Sequence, residues 1–81
     1  MSMLDKLLNR KKAILEHIEN FETILKKQRL NFAHMHYSFE FDKETDDALR
    51  ETIRERIISL DRELNRIEDK ISAINELLAG A

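Results

Sequence analysis

The sequence predicts an all-α fold: an antiparallel two-helix hairpin of coiled-coil type that dimerises into a four-helix bundle. Three observations carry this expectation. Apolar residues recur at alternating spacings of three and four along two long stretches. Proline is absent and the single glycine is Gly80. More apolar residues flank the two stripes than one hairpin seam can bury. Alternating three-four spacing keeps one side of an α-helix turned toward a partner.

Helix one is expected over about residues 3–35. Its stripe reads Leu4, Leu7, Lys11, Ile14, Ile18, Phe21, Leu25, Gln28, Phe32 and Met35, with only Lys11 and Gln28 polar. Polar residues in a seam cost stability and can fix register and oligomeric state, a role assigned here first to Gln28. Lys11 can instead lift its ammonium to solvent along its methylene stem.

The connector, about 36–44, reads two ways. Ala33, Met35, Tyr37, Phe39 and Phe41 alternate with His34, His36, Ser38, Glu40 and Asp42, which is the period of a strand. Phe32, Met35, His36 and Phe39 also fit a continuing helix. A lone strand in an α-hairpin lacks a ladder partner unless a second copy supplies one. A helical or irregular connector is therefore expected.

Helix two is expected over about 45–79. Ile53, Ile57, Leu60, Leu64, Ile67, Ile71, Ile74 and Leu78 form an unbroken stripe. Asp42 or Thr45 suits the N-cap, and Glu44, Asp46 and Asp47 suit the positive end of the helix dipole. Gly80 suits the C-terminal cap. The 81 residues make one helical-hairpin domain, since two such helices can shield each other only by folding back. Residues 1–36 carry seven Lys/Arg against four acids and residues 37–81 seven against twelve, so the two arms attract.

Composition narrows function. The chain is 42% hydrophobic and 37% charged, too apolar for a disordered tail. No stretch is long and apolar enough for a membrane span, and residues 1–12 lack the apolar core of a secretory signal. Without cysteine there is no disulfide, thiolate metal site or thiol nucleophile, and a cytoplasmic location is expected.

Enzyme chemistry finds no foothold, because no glycine-rich phosphate loop exists and the carboxylates sit on charged helix faces. No cofactor and no metal are expected. His34 and His36 would point to opposite sides of a helix; on a strand they would share a face, with His17 or Glu40 as a further ligand. Asp42, Glu44, Asp46 and Asp47 lack the glycine and closing glutamate of a calcium loop. Basic residues at 10–12 and 26–29 are interleaved with acids, so nucleic acid is a secondary alternative.

A non-enzymatic protein–protein interaction module, a small adaptor, regulator or chaperone-like protein, remains the leading expectation. Its candidate partner-binding residues are Tyr37, Phe39 and Phe41 at the tip, and Leu49, Ile58 and Leu77 on the flank. The expected partners are a second copy of the chain and another protein, with no membrane. A purely structural self-assembling protein is the other alternative.

Overall fold

The computed structural model describes residues 2–34 and 37–80. Two helices pack antiparallel, joined through a small antiparallel sheet. The order is α1 (Met3–Leu25), β1 (Asn31–His34), β2 (Tyr37–Glu40) and α2 (Lys43–Ala79). The molecule measures 58 × 25 × 14 Å with a radius of gyration of 17.8 Å. A compact chain of this length would have a radius of about 12 Å. Among the described residues no helix is long and apolar enough to cross a membrane.

The helix starts are set by capping side chains. Ser2 accepts the Asp5 amide at 3.1 Å, and Asp42 accepts the Thr45 amide at 2.7 Å. Both caps have extended backbone, as an N-cap requires. Accepting that amide holds the Asp42 carboxyl below the usual carboxylate range. At the far end Gly80 caps α2 by donating to the Glu76 carbonyl at 2.9 Å, with φ of −83°. No left-handed conformation is used there.

The core lies along the helix seam. Ile14, Leu60, Leu64 and Ile67 are buried together, with Leu7, Ile18, Phe21 and Ile71 packed around them. These are the residues at three-four spacing, so the seam is the one the periodicity predicts. Lys11 occupies its predicted seam position half-buried, and its Nζ reaches Glu68 Oε1 at 3.8 Å. Lys11→Leu is therefore expected to raise stability by about 1 kcal/mol, one buried methylene or so, as measured by urea unfolding. A less stable variant would contradict this packing.

Helix one is shorter than its stripe. It ends at Leu25, where the Lys26 amide closes onto Glu22 and Thr23 carbonyls, ten residues before the predicted end. Gln28 lies beyond the helix and is exposed, so it is no seam residue and cannot set register. The predicted helical or irregular connector is likewise corrected. The chain pairs with itself in the register Asn31 with Glu40, Phe32 with Phe39, Ala33 with Ser38 and His34 with Tyr37. The ladder partner is Asn31–His34, which lies within the stretch that the three-four spacing predicts as helix one. The ladder continues past the strands, with the Phe41 amide donating to the Leu30 carbonyl at 3.2 Å.

Candidate partner-binding surface

The sheet separates its side chains cleanly. Directly paired residues share a face, so Leu30, Phe32, Phe39 and Phe41 lie on one side and Asn31, Ala33, Ser38 and Glu40 on the other. Phe32 and Phe39 rings stand 5.6 Å apart, and Phe39 meets Phe41 edge-on at 5.0 Å. Both separations lie in the favourable range for aromatic pairs. Phe32 and Phe39 nevertheless remain 43% and 40% exposed. They clothe the sheet rather than fill the end of the helix pair.

Where sheet and helices meet, a cleft of about 310 Å³ opens between Ile24, Leu30, Phe41, Leu49 and Ile53, with Lys27 and Asn31 at its edge. Phe41 belongs both to this cleft and to the aromatic stack. The apolar surface therefore runs unbroken from the helix pair onto the sheet. Of the predicted contact residues, Phe39, Phe41 and Leu49 are brought together here. Ile58 stands apart on α2 at 52% exposure, and Leu77 near the far end at 75%. Tyr37 takes its place in β2. The side chains of His34 and Tyr37, and all of Met35 and His36, lie outside the described residues, so the histidine pair is not placed. Among the described residues no three His, Asp or Glu side chains converge as metal ligands would.

The sheet is held to the helices by a polar clamp that the sequence did not disclose. Asp46, buried in the first turn of α2, accepts the Leu30 amide at 2.8 Å and a hydrogen bond from Arg50 Nε. Arg50 donates onward to the Leu25 carbonyl at 3.0 Å and the Lys27 carbonyl at 2.7 Å. The Leu25 carbonyl ends α1, where no intrahelical donor remains for it, and the Lys27 carbonyl lies just beyond the helix. One ion pair thus closes α1, starts β1 and sits within α2. The Arg50 hydrogen bond, then the Leu30 amide, hold the Asp46 carboxyl below the usual carboxylate range. Arg29 adds a hydrogen bond from Nε to the Phe41 carbonyl at 3.0 Å.

Further along, Arg10 grips Glu63 bidentately at 2.9 and 3.0 Å. That contact lowers the Glu63 carboxyl and raises the Arg10 guanidinium. The pair is exposed enough to add little stability, but its fork geometry fixes which turns of α1 and α2 meet. Basic residues of helix one are thereby engaged by helix two.

No family model, curated protein or solved structure matches this chain.

Proposed function

We propose that the chain is a non-enzymatic protein–protein interaction module, an adaptor, regulator or chaperone-like protein of the cytoplasm. It works by packing its helical hairpin on another helical surface, a second copy first, with four helices as the smallest unit. Uncovered apolar surface carries this reading. Among the described residues only Ile14, Leu30, Leu60, Leu64 and Ile67 are buried hydrophobics. The chain exposes 6628 Å² at 9.6 kDa, against about 5,100 Å² for a compact monomer of that mass. Large apolar side chains left exposed on such a surface, among them Leu8, Leu15, Ile58, Leu77 and Leu78, usually serve an interface.

The aromatic sheet and its cleft are the proposed tip contact, with Ile58 and Leu77 as lateral contacts. Replacing Phe39 and Phe41 together by alanine tests this. Retained helicity by circular dichroism with association weakened about tenfold or more, the scale of one strong interface anchor, supports a docking surface. Loss of helicity would make the same rings structural, and unchanged association would remove the tip from the proposal.

The nucleic-acid alternative, through the basic face of helix one, has less support. Arg10 is held by Glu63, and Lys11 leans on Glu68. Phosphate contacts would have to displace both.

A further inference from the structure

The charges of the hairpin sort by face more than by helix. The seam divides the 14 Å slab into two broad sides. Stepping one way from the seam along residues 3–25 and 50–72, heptad positions place Lys6 and Arg10 of α1 beside Arg56, Glu63, Arg66 and Lys70 of α2. The bidentate contact of Arg10 with Glu63 joins the two helices on that side, and Arg56 and Arg66 both act electrostatically on Glu63. Five cations stand against one acid, +4 in all. Stepping the other way gives Glu19 and Glu22 with Asp5 on α1, and Glu51, Asp61 and Glu68 on α2. Only Lys12 and Arg54 oppose these six acids, a net −4. Lys11 leaves the seam toward Glu68, which places this acid beyond the seam as the heptad requires.

Both sides also carry exposed apolar residues. Leu8, Leu15 and Ile58 on the acidic side are 45%, 46% and 52% exposed. The basic side has Met3 and Leu77 at one end, 65% and 75% exposed, and the cleft with Ile24 and Leu49 at the other. Two copies packed by the same face, as in a closed two-fold dimer, would set +4 against +4 or −4 against −4. Unlike faces attract instead, and such an interface leaves one face of each sign unsatisfied. The chain exposes about 1,500 Å² more than a compact chain of its mass, the order of two contacts at roughly 800 Å² per partner.

We propose that this chain assembles heterologously, the basic face of one copy docking on the acidic face of the next, so that association continues beyond a dimer. The inference rests on the interaction reading and names its first partner and its geometry.

Charge reversal tests it in the full chain. One variant carries Arg56→Glu and Lys70→Glu, bringing the basic face from +4 to zero. The other carries Glu22→Lys and Asp61→Lys, bringing the acidic face from −4 to zero. All four positions are exposed, and circular dichroism checks that each variant keeps its helices. Sedimentation of the wild type should show species larger than a dimer at low salt, weakening about tenfold or more by 0.5 M salt as exposed charges are screened. Each variant alone should lose association, and an equimolar mixture should regain it in 1:1 proportion. A closed dimer indifferent to salt and to both reversals would overturn this geometry and leave the interaction reading standing. A wild type that stays monomeric at every salt concentration would overturn both, and retention of heparin by that monomer would assign the basic face to polyanions.

Discussion

Ile14→Ala is expected to cost about 2–5 kcal/mol of stability, enough to leave much of the chain unfolded at 37 °C. Ile14 is fully buried, and its neighbours Leu60, Leu64 and Ile67 come from a rigid helix that cannot collapse into the space left behind. The small number of buried side chains makes each one a large share of the total, since domains of this kind hold only about 5–15 kcal/mol. Ile58→Ala is the matched control. It removes the same kind of side chain from a position 52% exposed and should change monomer stability by less than about 0.5–1 kcal/mol. Urea unfolding of both variants measures the contrast. Equal losses would mean that the seam is not where Ile14 packs.

Asp46→Ala is expected to be the most damaging change to a charged residue. It strips the buried Leu30 amide of its acceptor and releases Arg50 from the geometry in which it closes α1. A buried donor without a partner is costly, and a fall in Tm of roughly 5–10 °C is expected. The damage should be local first. The Leu30 and Phe41 amides should exchange faster, while amides near Ile14 keep their protection. Uniform loss of protection would show that the sheet and the helix pair open as one unit. The same residue sets an acid limit. Its carboxyl lies below its ordinary value in the folded chain, so the folded state binds its proton less readily than the unfolded one. Its contribution is therefore complete above the ordinary carboxylate range and is lost as pH falls through the depressed folded value. Acid unfolding of the wild type should show this loss below about pH 4, and Asp46→Ala should flatten it.

The helix seam was legible because burial on a helix leaves a period. Leu7, Ile14 and Phe21 of α1 and Leu60, Leu64 and Ile67 of α2 are where the three-four spacing puts them. The sheet was half legible. Tyr37, Phe39 and Phe41 announced a strand, yet its partner was hidden inside the apparent stripe of helix one. Phe32 satisfied the helical spacing and the strand spacing at once, and no Asn-Gly or Asp-Gly pair stands in the sequence between the two strand stretches. The signal that could have found it is a change of phase. Leu30 and Phe32 on even positions answer Phe39 and Phe41 on odd ones, as a chain folding back between them requires. Asp46 was harder still. Among acids at a helix start it looked like dipole complementation, and only the distant Leu30 amide distinguishes it from its neighbours. The separation of charge between faces does not show in the totals for residues 1–36 and 37–81, because each stretch mixes the two sides of its helix.

The central claim is that the uncovered apolar surface of this hairpin is an interface. Sedimentation of the purified wild-type chain from low to high micromolar concentration at low salt tests it most directly. The account predicts a weight-average mass that rises with concentration to at least twice 9.6 kDa. A mass that stays at 9.6 kDa throughout would contradict it.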